Sequence, residues 1–245
     1  MDIQNKKTLI TGGGSGIGFS IAKAFSEAGA EVILVGRNEE RLKISAASLK
    51  NATYIAADVG NTDDVQRLVE TVSRDGGIDI LINNAGVANY LPALLGDDYY
   101  EKAKEEMDIN FFAVLNLINK FLPVLKQREA AAIINLESIL VYAPSINAST
   151  YSASKAALRS YSQSLRMQLE KESINIKIFE VFPPLVDTDM TAGLDIVKIA
   201  PEVVANDLVA AVLTDEFYIR SGMTEKIYQA MLASPENAVL LMNSH

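Results

Sequence analysis

The stretch of sequence that decides the fold is Lys7-Thr8-Leu9-Ile10-Thr11-Gly12-Gly13-Gly14-Ser15-Gly16-Ile17-Gly18. An apolar run leads here into a glycine-rich turn, and an amphipathic pattern follows over residues 16–28. Glycines let the backbone turn tightly and approach a pyrophosphate, while the N-terminus of the next helix supplies amide donors and positive potential. The spacing is G-x-x-x-G-x-G, unlike the more usual G-x-G-x-x-G. The stretch therefore predicts a strand, a turn that binds a dinucleotide, and a helix.

The same alternation of apolar runs and amphipathic segments continues through most of the chain. Runs rich in Val, Ile or Leu predict strands at residues 7–11, 31–36, 52–56, 78–82, 131–136 and 174–181. Helical periodicity lies between them at residues 16–28, 39–49, 63–73, 97–128 and 149–172, and later at 201–213 and 224–233, with a short strand at 217–220. Residues 234–245 fit no pattern. Strand alternating with helix predicts an α/β fold, a single Rossmann-type, doubly wound parallel sheet flanked by helices on both faces, in one domain over residues 1–245.

Composition excludes several classes of protein. The 245 residues include no Cys, and the only His is His245 at the end of the chain, so thiolate chemistry, a Ser-His-Asp triad and a metal site are not expected. Acidic residues outnumber basic ones 31 to 22 and the signs are interspersed, which disfavours a nucleic-acid partner. No membrane span and no signal peptide are expected, so we predict a cytoplasmic enzyme.

Tyr151 and Lys155 lie four residues apart in a segment with helical periodicity, so both project from one face of a helix. A nearby ammonium stabilises a phenolate and lowers its pKa, which would let Tyr151 exchange a proton with a carbonyl or alcohol oxygen. Ser138 falls just past the fifth strand, at the sheet edge where open α/β folds bind ligands, and could donate to the same oxygen. These three residues predict an acid/base site.

With Asn83-Asn84-Ala85-Gly86 after the fourth strand and Asp58-Val59 after the third, the chain resembles the short-chain dehydrogenase/reductase family over residues 8–190. The resemblance implies hydride transfer between a nicotinamide cofactor and a carbonyl or alcohol carbon. It implies four catalytic residues, with Asn110 holding a water that relays protons to the lysine: Asn110, Ser138, Tyr151 and Lys155. The cofactor contacts that it implies are Gly12, Gly14, Ser15, Gly16, Ile17, Gly18, Asp58, Val59, Asn84, Ala85, Gly86, Tyr151, Lys155, Pro184, Val186 and Thr188.

The end of the second strand bears on the choice between NAD and NADP. No acid stands there to repel a 2′-phosphate, and Arg37 offers a planar bidentate donor for one. We therefore expect NADP(H) to be preferred. Glu39 and Glu40 lie close enough to leave NAD open.

The chain also departs from the family's pattern. Pro184 stands where Gly is usual, so the backbone beside the nicotinamide should differ slightly. Glu137 precedes Ser138 where a small residue is usual, and we expect it to face solvent. The C-terminal residues lack the Asp-Gly-Gly-like turn of a tetramer interface. A homodimer through residues 111–125 and 158–169, or a tetramer, is expected by analogy.

The substrate is not identified by the sequence. Three mostly apolar segments, residues 87–95, 139–147 and 185–194, suggest an apolar small-molecule carbonyl or alcohol, with Tyr90 and Tyr142 shaping the pocket and a substrate loop at about 184–200. The PPLVDTDM segment is similar to DltE-like oxidoreductases. Two alternatives remain open: a dinucleotide-sensing regulatory protein without turnover, and an epimerase or dehydratase that regenerates its cofactor.

Overall fold

A seven-stranded parallel sheet runs through the computed structural model, which describes residues 1–89 and 98–244. Its strand order is β3-β2-β1-β4-β5-β6-β7. The strands are β1 (Lys7–Thr11), β2 (Glu31–Gly36), β3 (Ala52–Ala56), β4 (Ile80–Asn83), β5 (Ala131–Leu136), β6 (Ile176–Val181) and β7 (Tyr218–Ile219). The order reverses between β1 and β4, and ligands bind at such a switch point beyond the carboxyl ends of the strands. The predicted α/β sheet is confirmed; β4 and β6 each begin two residues later than predicted.

Helices cover both faces of the sheet. They are α1 (Gly16–Glu27), α2 (Glu39–Ala47), α3 (Thr62–Arg74), α4 (Tyr99–Met107), α5 (Ala113–Leu125), α6 (Ser149–Lys171), α7 (Pro201–Thr214), α8 (Thr224–Ala233) and α9 (Pro235–Met242). Successive strand residues point to opposite faces, so Ile10 and Ile82 pack with α1, α2 and α7, while Leu9 and Leu81 pack with α3, α5 and α6. The two apolar cores hold the carboxyl edge of the sheet in place.

The segment predicted as one helix over residues 97–128 is divided by a π-helical turn at Asp108–Phe112. Such turns contain an extra residue and are frequent at functional sites. By length and composition alone, Tyr99–Leu125 could cross a membrane. In the fold one side of this segment packs on the sheet, where Leu117, Phe121 and Leu125 are fully buried.

The C-terminal residues, which the sequence leaves without an assignment, form α9. Ser234 caps this helix by accepting a hydrogen bond from Asn237 N, and Ala238 is buried in a third core with Ile227 and Phe182. Asn243 then holds the loop before α6, since its side chain accepts from Ile146 N and donates to Pro144 O. Helices α8 and α9 therefore close one side of the region where residues 139–147 lie.

Glu137 contradicts the expectation that it faces solvent: its exposed fraction is 2%. The residue follows β5, which pairs with β4 on one side and β6 on the other and is buried along its whole length. Helices cover both faces of a central strand. The alternation of side chains therefore decides on which face of the sheet Glu137 lies, but it exposes Glu137 to solvent on neither face. The side chain lies on the α6 side.

Candidate active site

The glycine-rich turn is bound to the segment after β4 through Thr11. The Thr11 hydroxyl accepts hydrogen bonds from Asn84 N and Ala85 N, both at 3.0 Å. The Asn84 side chain donates in return to the carbonyls of Thr11 and Gly12, at 2.9 and 3.3 Å. A Cβ at Gly18 would lie 2.3 Å from Gly12 O, so only glycine fits. The sequence-predicted residues 11–18 and 84–86 thus form one rigid unit.

The N-terminus of α1 is open for a ligand. Ser15 stands at the N-cap position, but its side chain makes no capping hydrogen bond. Gly12 and Gly16 adopt the left-handed region at φ +65° and +51°, which other residues rarely enter. Ile17 is partly buried against the first core. The first amides of the helix can therefore donate to an anion.

Arg37 and Arg41 both lie near the N-terminus of α1, and they differ in the contacts of their guanidinium groups. Arg37 is exposed just past β2, and no hydrogen bond or ion pair engages its guanidinium among the residues described. Arg41 donates to Gly14 O at 3.2 Å and forms an ion pair with Asp189 at 2.8 Å. The sequence analysis missed Arg41, although its position one helical turn after Arg37 on α2 was a usable signal.

Asp58 and Val59 follow β3, as predicted for the residues beside the adenine. Val59 is buried at 8% exposure, whereas Asp58 is half-buried and accepts from Gly60 N at 2.9 Å. Asp64 fixes this corner by accepting from Asp58 N at 2.8 Å. That contact, together with the Arg67 ion pair, lowers the pKa of the Asp64 carboxyl. The corner is therefore held by backbone hydrogen bonds and leaves the Asp58 carboxyl partly accessible.

Tyr151 and Lys155 project together from the first turns of α6. The Lys155 ammonium lies 5.7 Å from the centre of the Tyr151 ring and donates to Leu136 O at 2.7 Å. Ser138, two residues after that carbonyl, accepts from Leu140 N at 3.2 Å. The predicted lysine, tyrosine and serine therefore meet at the carboxyl edge of β5.

Burial changes the acidity of Lys155. The side chain is 4% exposed, and desolvation lowers the pKa of its ammonium to about 8, although the nearby Glu137 carboxyl raises it in part. A lysine with such a pKa holds its proton at neutral pH and releases it in mild alkali. Strongly perturbed groups at a sheet edge mark candidate active sites.

Asn110 lies in the π-helical turn and is fully buried. Its side-chain amide both accepts from Val87 N and donates to Val87 O, each at 2.9 Å, and donates to Ser154 Oγ at 3.0 Å. A Cβ at Gly86 would lie 3.0 Å from Asn110 Oδ1 and 3.6 Å from Lys155 Nζ. Asn110 therefore connects the segment after β4 to α6, next to the lysine.

The segment after β6 folds back over the glycine-rich turn. Val186 is buried and forms a bridge with Ile199, and Thr191 closes the intervening segment by donating to Val186 O at 2.6 Å. A Cβ at Gly16 would lie 3.0 Å from Thr188 Cγ2, so Thr188 lies beside the start of α1. Pro184 is half-buried. The structure brings residues 184–188 to the same cleft as the turn.

Of Tyr90 and Tyr142, the two residues expected to shape the substrate pocket, the structure describes Tyr142. Tyr142 is 5% exposed and packs on Phe182 and Tyr228, with ring centres 5.0 Å apart in both pairs, so it belongs to the third core. Burial raises the pKa of its hydroxyl to about 12. Tyr90, most of the apolar segment that follows it, and His245 lie outside the described residues.

Comparison with known proteins places the chain among oxidoreductases. Residues 6–196 match the family model for short chain dehydrogenases. An uncharacterized oxidoreductase of Staphylococcus epidermidis is 36% identical over 197 residues, which cover 79% of this chain and 83% of the relative. The uncharacterized oxidoreductase DltE of Bacillus subtilis is 35% identical over 191 residues, 78% of this chain and 75% of the relative. The predicted likeness to DltE is thereby confirmed.

Solved structures agree on the fold. A short chain dehydrogenase from Burkholderia cenocepacia in complex with NADP is 29% identical, has a TM-score of 0.88 and covers 99% of each chain. A second, from Burkholderia phymatum in complex with NAD, is 22% identical with a TM-score of 0.84 and covers 99% of this chain and 97% of its own. The two neighbours bind different nicotinamide cofactors.

Proposed function

The chain belongs to the short-chain dehydrogenase family and is an NAD(P)-dependent oxidoreductase; from that premise we propose that it interconverts an apolar carbonyl compound and its alcohol, with NADP(H) preferred. The observation that carries the proposal is the buried Lys155 ammonium beside the Tyr151 ring. A sensor of dinucleotides needs no such pair, which disfavours the regulatory alternative.

The residues around the glycine-rich turn fit a dinucleotide. Side chains are excluded at Gly18 by Gly12 O and at Gly13 by Leu34, where a Cβ would lie 2.9 Å from Cδ2, and the α1 amides have no side-chain cap. Such a surface suits the close approach of a pyrophosphate. Residues 12–18 would hold the phosphates, Asp58 and Val59 the adenine, and residues 84–86 with 184–188 the nicotinamide half. When bound, the cofactor supplies the hydride.

The preference for NADP(H) rests on the two arginines near the start of α2. Arg37 is exposed and unengaged within the described ranges, so it can turn toward a 2′-phosphate. Asn38 precedes α2 and uses its side chain to cap Arg41 N. Glu39 and Glu40 fall in the first turn of that helix, where their charge is favoured by the helix dipole.

Proton transfer is assigned to the side chains of α6 and the end of β5. In the direction of reduction, the Tyr151 hydroxyl gives its proton to the developing alkoxide oxygen, and the Lys155 ammonium stabilises the phenolate that remains. Ser138 accepts from Leu140 N, so its own hydrogen can be directed at the same oxygen. Asn110 is the residue proposed to hold a water that returns a proton to Lys155.

An apolar substrate is supported by the segment after β6. Met190, Ile196 and Val197 have exposed fractions of 44%, 51% and 92%, so three apolar side chains within eight residues are available to contact a ligand. Asp187 and Asp195 are exposed to solvent as well, so they place no constraint on the charge of the substrate. We propose that residues 184–200 form the substrate loop and contact an apolar chain or ring.

The test is oxidation of NADPH and of NADH, followed by absorbance, with a series of aliphatic and aromatic aldehydes and ketones. Replacing Tyr151→Phe removes the proton donor and should lower kcat by roughly 10²- to 10⁴-fold while leaving cofactor binding intact. Arg37→Ala should raise the KM for NADPH by about tenfold, the loss of one charge-assisted contact, and leave the KM for NADH unchanged.

Arg74→Ala, at an exposed position at the end of α3, is the matched control for charge. Equal use of both cofactors by the wild type would overturn the NADP preference. Binding without oxidation, for every carbonyl, would favour the sensor; product formation without a net change in reduced cofactor would favour an epimerase.

Assembly and location stay predictions. The exposed Phe112 and Met167, at 54% and 64%, lie in the two segments expected to form a homodimer. Sedimentation of the purified chain distinguishes monomer, dimer and tetramer. A cytoplasmic location is likewise proposed from the sequence analysis.

A further inference from the structure

A polar stripe runs along the face of α6 that packs on the sheet. Lys155, Arg159, Ser162 and Arg166 follow one another at helical spacing, and Lys155 and Ser162 are almost fully buried. Packing faces of helices are normally apolar. A polar stripe at such a position needs partners on the sheet.

Those partners are two buried carboxyl groups, Glu137 after β5 and Glu180 in β6. Their exposed fractions are 2% and 0%. Glu180 lies 2.7 Å from the Arg166 guanidinium, and within residues 1–89 and 98–244 no oxygen of either carboxyl group has a hydrogen-bond donor of good geometry. Ser162 is close to Glu137, but its single hydrogen is directed at Leu158 O and it accepts from Asn135. A buried carboxylate without a donor is expensive, so Glu137 requires a proton.

The two carboxyl groups also face each other. Burial and mutual repulsion raise the pKa of Glu137 well above its ordinary range, and burial raises the pKa of Glu180 against the opposing effect of Arg166. Two adjacent carboxylates in a dry site cannot both ionise easily and titrate as a pair. A proton held by Glu137 can be donated to Glu180, which satisfies an oxygen on each.

The negative charge that remains on the Glu137–Glu180 pair can stabilise a nearby cation. Every charged or titratable group known to act on Glu137 is either Glu180 on β6, a residue of the α6 stripe, or Tyr142 in the following loop. Arg159 acts on both carboxyl groups and also lies 4.5 Å from the centre of the Tyr142 ring, and Arg166 pairs with Glu180. Lys155 has the Leu136 carbonyl as its hydrogen-bond partner, and the acid that favours its charged form is Glu137.

We propose that Glu137 and Glu180 share one proton, and that the charge left on this pair keeps the buried Lys155 in its ammonium form. Glu137 is thus a positioning residue, which acts on the reaction only through Lys155. Its place in catalysis rests on the proposed function, whereas its effect on the charge of Lys155 does not.

The test measures the protonation of Lys155 directly. Protein labelled with ¹³C at the lysine ε-carbon is titrated by NMR, and the Lys155 signal is assigned by its absence from a Lys155→Arg variant. Glu137→Gln leaves the charge on Glu180, which pairs with Arg166, whereas Glu137 is the acid that acts on Lys155, so the Lys155 titration should move to lower pH. Glu180→Gln leaves it on Glu137, so the titration should move to higher pH. Glu170→Gln, on the exposed side of α6, is the control and should change nothing.

A shift of about one pH unit, ordinary for one neighbouring charge, leaves about five times less protonated lysine at pH 8 in Glu137→Gln. The alkaline limb of kcat should move by the same amount, with KM for NADPH little changed. An unchanged titration in Glu137→Gln overturns the proposal, as does a move to lower pH in both variants. Should Glu180→Gln fail to fold, Glu137→Gln decides alone.

The titration needs neither cofactor nor substrate. Shifts of opposite sign in a protein that oxidises no NADPH would therefore support the proton-sharing pair and overturn the proposed function. Turnover of NADPH with an unchanged Lys155 titration would support the proposed function and overturn the proton-sharing pair.

Discussion

Helices α1 and α6 pack against opposite faces of the same sheet, but they bury different chemistry. Helix α1 buries Ile21, Ala22 and Phe25, all with no exposed surface, and contributes only backbone amides to the site. Helix α6 buries Lys155 and Ser162 among its leucines and contributes side chains. Apolar burial stabilises a fold, whereas a desolvated charge destabilises it. The comparison indicates that one helix serves stability, whereas the other, under the proposed function, carries chemistry at a cost in stability.

Replacing Lys155 should have the largest effect among the changes that test this difference between α1 and α6. Lys155→Met should abolish the charge that stabilises the phenolate and lower kcat by roughly 10²- to 10⁴-fold. The lowering of the Lys155 pKa from 10.5 to about 8 means that burial of the ammonium destabilises the fold by about 3 kcal/mol at pH 7. The variant also loses the hydrogen bond to Leu136 O, which stabilises the fold by about 1 kcal/mol. The free energy of unfolding at pH 7 should therefore rise by about 2 kcal/mol, as measured by urea denaturation.

The pH dependence gives an internal check on this result. Between pH 8 and 10.5 the unfolded wild type binds a proton that the native lysine has lost, so the contribution of Lys155 to the unfolding free energy rises with pH. This rise should vanish in Lys155→Met and persist in Lys171→Met, whose lysine is exposed. A variant that is inactive and less stable than wild type would contradict the comparison.

Removing an apolar side chain from α1 should have the opposite pattern. Phe25→Ala leaves a cavity against the first core and should lower the free energy of unfolding by about 3–5 kcal/mol. Lys23→Ala, on the exposed side of the same helix, is the control. With saturating cofactor, kcat of the folded fraction should stay close to that of wild type. A large fall in kcat would mean that α1 acts on the chemistry as well.

The smallest effect concerns the carboxyl pair opposite α6. A native pKa raised above the ordinary value of 4.5 means that the folded protein keeps a proton that the unfolded chain releases. The free energy of unfolding should therefore fall as pH rises above the ordinary value of 4.5. Glu137→Gln should flatten this slope. An equally steep slope in the variant would assign it to other groups.

Much of this arrangement is readable from the sequence. Strands β1, β2, β3 and β5 begin and end where predicted, because each is a short, largely apolar segment between amphipathic or polar ones. Ser138, Tyr151 and Lys155 meet at the sheet edge because parallel strands end there together and a four-residue spacing keeps two side chains on one helix face.

What the sequence analysis missed depends on distant contacts. The ion pair of Arg41 joins residues 148 positions apart. Glu137 is buried because β6 and α6 cover a strand end that looks polar when considered alone. The division of the long helix at Asp108–Phe112 follows from the hydrogen bonds of Asn110 to Val87, which no helical periodicity encodes.

The Arg41 side chain couples the glycine-rich turn to the segment over the cleft. It contacts Gly14 in the turn and Asp189 in that segment, so a nucleotide that displaced it would remove one of the contacts that hold the segment. Thermodynamic linkage makes such an effect mutual: whatever the first ligand does to the affinity of the second, the second does to the first. The pair is largely exposed and contributes at most about 1 kcal/mol, so this linkage changes either affinity by about fivefold or less.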